Sequence, residues 1–247
     1  MSKKVIVPIG PQHPALKEPA CFSLTLEGEK VLSAVVGVGY NHRGLEKSCE
    51  SRSYIQSLYI IERVCGICSH SHSTCFLQCA EELAGVEITR RAAYIRVLMG
   101  ELERLHSHLL WLGVAAHLIG FDTLFCYAWR DRELVLDLLA DLGGNRVNYG
   151  INTPGGVRRD VTPEQIQDIL STMDILDKQL AYYVELALGD TVLAARLANV
   201  GKLSKEECIH FGAVGPTARA AEVNYDIRKV GPTAAYAEIP FNVITDT

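Results

Sequence analysis

The sequence has no long run of basic residues, no second Cys-x-x-Cys pair and no uncharged stretch that reads as a bilayer span, and no export signal is expected of it. With a formal net charge of -5 and no basic cluster, nucleic acid and anionic membrane surfaces are excluded as main partners. The opening residues, Met1 to Pro14, hold two lysines and a short apolar run interrupted by Pro8. That run is too brief for a secretory segment, so a cytoplasmic location is expected. A long stretch without formal charge lies between Arg104 and Asp122 and carries His106, His108 and His117. Those rings suit a buried bundle helix better than a lipid-facing one, so attachment to a membrane is expected through partner subunits. Internal repeats and low-complexity segments are also missing, and one compact domain spanning residues 1–247 is expected from length and composition.

What is present begins with strand-like alternation. Ala20 to Gly39 reads as an antiparallel hairpin around Glu27-Gly28-Glu29, a small sheet opening the fold. From Tyr54 the period turns helical. After Thr89 a stripe of Tyr94, Leu98, Leu102, Leu105, Leu109, Leu112 and Ala116 predicts a long core helix. Another is predicted from about Thr123 to Leu142, ended by Gly143-Gly144. Thr162-Pro163-Glu164-Gln165 supplies an N-cap, a first-turn proline and a capping-box glutamine for a helix reaching about Leu188. Beyond Phe211, with Gly215-Pro216 and Gly231-Pro232, the chain reads as loop. The class is mainly α (α+β), a long-helix bundle with a small N-terminal antiparallel sheet.

Eight cysteines in a reducing compartment read as thiols, and their spacing as metal chemistry. The most informative stretch is Arg63-Val64-Cys65-Gly66-Ile67-Cys68-Ser69-His70-Ser71-His72. Two sulfurs three residues apart, at a turn entering a helix, can both lie about 2.3 Å from one soft ion, and Gly66 gives the backbone freedom to bend. Cys75 and Cys79 continue the same helix face, but a rise of about 1.5 Å per residue carries Cys75 roughly 10 Å past Cys68. They are expected to be small buried core residues. Cys21, Cys49, Cys126 and Cys208 are scattered, so the sequence holds half a thiolate site.

"RVCGICSHSH" is similar to the N-terminal signature of NiFe-hydrogenase large subunits, Arg-x-Cys-Gly-x-Cys-x-x-x-His, matched by Arg63, Cys65, Gly66, Cys68 and His72. "GPQHPALKEP" at Gly10 to Pro19, "HRGLEK" at His42 to Lys47, "GPTAR" at Gly215 to Arg219 and "DIRK" at Asp226 to Lys229 resemble the energy-converting, membrane-bound branch (group 4) that shares ancestry with the 49 kDa core subunit of complex I. The resemblance covers essentially the whole chain. It implies a NiFe centre, with carbon monoxide and cyanide on the iron, in which Cys65 and Cys68 hold the positions of a terminal nickel ligand and a bridging one. In that family the other two thiolates come from a C-terminal CxxC followed by arginine, a segment this sequence lacks, so it is expected to be a partial chain or a relative without the cluster.

Further roles follow from the same resemblance. Glu18 matches the first proton acceptor by position, and sits before the first predicted strand. Glu46 falls where relatives place a carboxylate for magnesium or an inner proton relay, against the plainer reading of a helix-capping group paired with Arg43 or Lys47. Both carboxylates suit proton transfer near a buried centre. His72 and Arg63 would act around the cluster from outside the ligand set. His13 matches a loop histidine that faces quinone in complex I relatives, and Asp226 with Arg228 forms either a site-orienting or a structural pair. His70, His106, His108 and His117 read as satisfied core residues. The implied partners are an iron-sulfur small subunit, a ferredoxin-like electron-transfer subunit carrying iron-sulfur clusters and integral-membrane subunits, with the chain peripheral on the inner face of the cell membrane. The implied activity is reversible proton reduction with electrons from ferredoxin, coupled to ion translocation. A complex I-like quinone-reducing subunit and a non-catalytic scaffold are the alternatives.

Overall fold

The computed structural model describes residues 4–16 and 18–245, in two compact units, residues 1–52 and 53–247. Met1 to Lys3, Lys17, Asp246 and Thr247 lie outside the described residues. The smaller unit is a three-stranded antiparallel sheet, β1 (Lys4–Ile9), β2 (Cys21–Glu27) and β3 (Lys30–Gly37), in the order β1-β2-β3. Its hairpin turns at Gly28, in the left-handed region at φ 62, and pairs Glu27 with Lys30. The expected hairpin therefore stands, and a strand not foreseen in the apolar run around Pro8 joins it, so Glu18 lies between β1 and β2. A short helix, α1 (Leu45–Cys49), ends the unit.

The larger unit is helical. It contains α2 (Tyr54–Glu62), α3 (Ser69–Ala84), α4 (Arg90–Leu118), α5 (Asp122–Gly143), the two-residue strands β4 (Asn152–Thr153) and β5 (Gly156–Val157), and α6 (Pro163–Gly189). Four shorter helices come after it: α7 (Thr191–Leu197), α8 (Lys205–His210), α9 (Gly215–Ala220) and α10 (Ile227–Val230). The segment expected to be loop after Phe211 is thus partly helical. Pro216 sits at the start of α9, where its missing N–H is no loss, and the Asp226 side chain caps α10.

Helices α4, α5 and α6 surround the main core, built from Met99, Leu102, Leu109, Val135, Leu139, Ile169 and Leu176 among others. Thr162 and Gln165 form the expected capping box at the head of α6. The α4 stripe is wider than predicted. Leu102, Leu109 and Ala116 are buried as expected, but so are Arg96, Glu103 and His106, because the helix is covered on more than one side. Tyr94, by contrast, is exposed. His108 and His117 are also exposed, correcting their assignment to the core. His117 instead pairs with Asp122 at 2.7 Å. Among the described residues no helix is long and apolar enough to cross a membrane.

The end of α5 packs tightly against the segment around Tyr149. A Cβ added to Gly143 would lie 2.8 Å from the Tyr149 Cβ and 3.2 Å from its Cα and carbonyl oxygen. Helix propensity favours alanine over glycine by up to about 1 kcal/mol, whereas overpacking against fixed backbone costs about 1–3 kcal/mol. Gly143→Ala is therefore expected to destabilise, lowering the melting midpoint by a few degrees. A thermal melt showing a raised midpoint would contradict the packing at this point.

Candidate metal centre

Helix α2 begins with a Ser53 capping box closed by Gln56. It ends at Arg63, whose guanidinium donates to the Tyr59 carbonyl at 2.9 Å. The chain then turns through Cys65-Gly66-Ile67 into α3, with Cys68 as N-cap. The backbone N–H groups of Ile67 and Cys68 point at the Cys65 sulfur, at 3.4 and 3.3 Å. The turn does not need a left-handed glycine at Gly66, where an added Cβ would meet the Val147 side chain at an ordinary 3.6 Å.

One helical turn on, the His72 N–H donates to the Cys68 carbonyl. The ligating atoms of Cys65, Cys68 and His72 all lie within 4.8 Å of one another, each residue partly buried. Two sulfurs in that space, with an imidazole beside them, fit a soft or borderline metal such as nickel or low-valent iron. The two thiols differ electrostatically. Burial raises the Cys65 pKa, but hydrogen bonds from the Cys68 thiol and from the two backbone amides outweigh it and leave the thiol below its ordinary value. Burial and the proton shared with Cys65 push Cys68 up to about 12. Cys65 is therefore the readier thiolate, and Cys68 must release a proton when it ligates.

Cys75 and Cys79, expected in the core, are exposed. The face of α3 that packs inward is the one carrying Ser69, His70, Ser73, Leu77 and Glu81, and the cysteines lie off it. His70 fits its expectation. It is enclosed, with one ring nitrogen 2.9 Å from the Arg96 carbonyl and the other 3.3 Å from the Asn152 amide. His106, completely enclosed, meets the Tyr149 hydroxyl and the Arg132 guanidinium, each at 3.2 Å.

Sequence reasoning missed two carboxylates that hold the turn. Glu62 is buried and accepts from the Gly150 N–H at 2.8 Å, although burial raises its pKa. Glu103 reaches across from α4 to the start of α3. It accepts from the His70 N–H at 2.6 Å, the Ser71 N–H at 3.0 Å and the Ser71 hydroxyl at 2.7 Å. The signal was available, because Glu103 and His106 stand at helical spacing among Met99, Leu102 and Leu109, charge and polarity on an apolar face.

The remaining predicted residues are elsewhere. Asp226 and Arg228 form a two-pronged pair at 3.0 and 2.6 Å, extended by Arg228 to Glu101. Glu18, His13 and Glu46 belong to the smaller unit and are exposed. The Asn41 amide donates to Glu18 at 2.7 Å, His13 Nδ1 accepts from the Ala15 N–H, and Glu46 lies in the first turn of α1. Lys47 pairs with Glu50 at 2.5 Å.

Burial depresses both enclosed imidazoles, His70 and His106, to about 4. Groups whose folded pKa lies below the unfolded value of 6.5 bind protons preferentially in the unfolded chain. Stability is then retained above pH 6.5 and lost as pH falls toward 4, each ring adding at most about 1.4 kcal/mol per pH unit to the slope. Denaturant titrations at stepped pH are expected to show that loss, and His106→Gln to reduce its slope. An unchanged slope in the variant would remove His106 from the account.

Comparison with known proteins places these features. Residues 119–247 match the family described as the respiratory-chain NADH dehydrogenase 49 Kd subunit, and residues 43–123 match nickel-dependent hydrogenase. The alpha subunit of the membrane-bound hydrogenase of Pyrococcus furiosus is 46% identical over 91% of this chain and 52% of its own length. A subunit of the F(420)H(2) dehydrogenase of Methanosarcina mazei is 37% identical over 100% of this chain and 66% of its own. A chain of the membrane-bound sulfane sulfur reductase, an archaeal respiratory membrane complex, superposes with a TM-score of 0.84 at 28% identity, covering 98% of this chain and 65% of that one. The chain thus spans roughly half to two-thirds of the length of these relatives.

Proposed function

We propose that this chain, which belongs to the family of the respiratory-chain NADH dehydrogenase 49 kDa subunit, is the catalytic large subunit of an energy-converting NiFe hydrogenase. The observation that carries the reading is the cluster of Cys65, Cys68 and His72, whose ligating atoms lie within 4.8 Å. The match of residues 43–123 to nickel-dependent hydrogenase supports it. When bound, a nickel-iron centre supplies a redox-active Lewis acid at which H2 is split into two protons and two electrons, or formed from them. Cys65 and Cys68 would hold it as thiolates, and His72 would aim a ring nitrogen at the Cys68 sulfur. The other two thiolates would come from polypeptide of the kind that completes the relatives' greater length. Glu18 and Glu46 would serve proton transfer, the latter alternatively magnesium binding, and Arg63 would act around the cluster from outside the ligand set.

The partners under this reading are an iron-sulfur small subunit, a ferredoxin-like electron donor and integral-membrane subunits, with peripheral attachment to the membrane. A second reading, a complex I-like quinone-reducing subunit, is favoured by the family match of residues 119–247. The thiol pair separates the two, because quinone binding requires no sulfur ligands.

The test is nickel and iron analysis of the anaerobically isolated native complex, with hydrogen evolution from reduced ferredoxin. Stoichiometric nickel and hydrogen production are expected. A nickel-free complex that reduces quinone would transfer the assignment to the second reading.

A further inference from the structure

We infer that Glu103 is the positioning residue of the thiol pair, a carboxylate cap supplied in trans so that the N-cap residue of α3 is free to ligate. An α-helix leaves its first N–H groups without internal partners, and the N-cap side chain ordinarily accepts one of them. At α3 the N-cap is Cys68, whose side chain makes no capping hydrogen bond, and the first turn carries no acidic residue. The Cys68 sulfur therefore leaves the first N–H groups of α3 to another acceptor.

Glu103 fills the vacancy from the neighbouring helix. Its two oxygens take the N–H groups of His70 and Ser71 and the Ser71 hydroxyl, at 2.6, 3.0 and 2.7 Å. Glu103 is 2% exposed, so these bonds form without competition from water, although burial raises its pKa. The Ser69 hydroxyl points its proton at the Val147 carbonyl, tying the same turn to the segment after α5. Three successive residues following Cys68 are thereby fixed. The direction of the Cys68 Cα–Cβ bond, and with it the separation from Cys65, is set by a residue that touches neither sulfur.

This inference rests on the metal reading above, and its test keeps the two apart. The intact chain, reduced and anaerobic, is titrated with Co(II), whose thiolate charge-transfer absorption reports sulfur ligation and its geometry. Glu103→Gln preserves shape but places an amide N–H2 against donors. Its Co(II) affinity is expected to fall about 10–100-fold, the scale on which partners behind a ligand act, with a shifted charge-transfer band. Leu77→Ala, which opens a cavity in the middle of α3 far along the helix from the turn, is expected to lower the melting midpoint while keeping wild-type affinity and band. Glu103→Asp is expected to restore part of the affinity. Wild-type affinity and band in Glu103→Gln, or an equal loss in Leu77→Ala, would overturn the positioning role. A wild-type chain with no thiolate band would overturn this inference, while the metal reading is decided separately by the nickel and iron content of the native complex.

Discussion

Cys68→Ser is expected to abolish nickel retention in the native complex and, with it, hydrogen evolution. The substitution removes one of the two sulfurs within 4.8 Å and offers instead a hydroxyl that stays protonated and binds soft metals poorly. The loss of affinity should exceed the roughly 10–100-fold that comes from removing a residue behind a ligand. Cys65→Ser should behave alike, since the Cys65 sulfur also accepts the two amides that close the turn. Cys75→Ser is the comparison, because Cys75 is exposed and off the inward face of α3. Metal analysis after anaerobic desalting reads all three. Equal retention by Cys68→Ser and the wild type would place the metal, if any, elsewhere.

Arg96→Met should be the most destabilising single change in the helical unit. Arg96 and Glu81 are both buried and joined by two hydrogen bonds, at 2.9 and 2.6 Å. The guanidinium also donates to the carbonyls of Thr153 and Gly156, and Glu81 accepts from the Gly155 N–H. One ion pair therefore ties α3 and α4 to the β4–β5 turn. Breaking a buried pair strands the surviving charge and costs about 3–5 kcal/mol, which for a unit of this size lowers the melting midpoint by roughly 10 °C. Glu81→Leu combined with Arg96→Met should cost less than Arg96→Met alone, since no isolated charge remains. Calorimetry of the single and double variants decides it. A double variant worse than Arg96→Met would show that the backbone contacts, not the charge pairing, dominate.

Periodicity carried the long helices because α4, α5 and α6 bury regular apolar stripes, and the Thr162 capping box is a local signal that tertiary contacts do not override. The thiol pair was legible for a similar reason: its chemistry lies within one turn of chain. What was not legible depends on contacts distant in sequence. Glu103 acts on a helix that starts more than thirty residues earlier, and Glu62 on Gly150. The exposure of Cys75 and Cys79 reflects which face of α3 meets α4, a choice fixed by His70, Glu81 and Arg96. The single strand at Lys4–Ile9 was hidden because Pro8 breaks the apolar run, although an edge strand tolerates a proline.

The most direct measurement is an infrared spectrum of the native complex, isolated without oxygen and replete in metal, in the window where iron-bound carbon monoxide and cyanide absorb and protein does not. Those bands are expected in the wild type and are expected to disappear in Cys68→Ser. A wild-type spectrum without them would contradict the assignment of Cys65 and Cys68 to a nickel-iron centre and leave the quinone-reducing reading in its place.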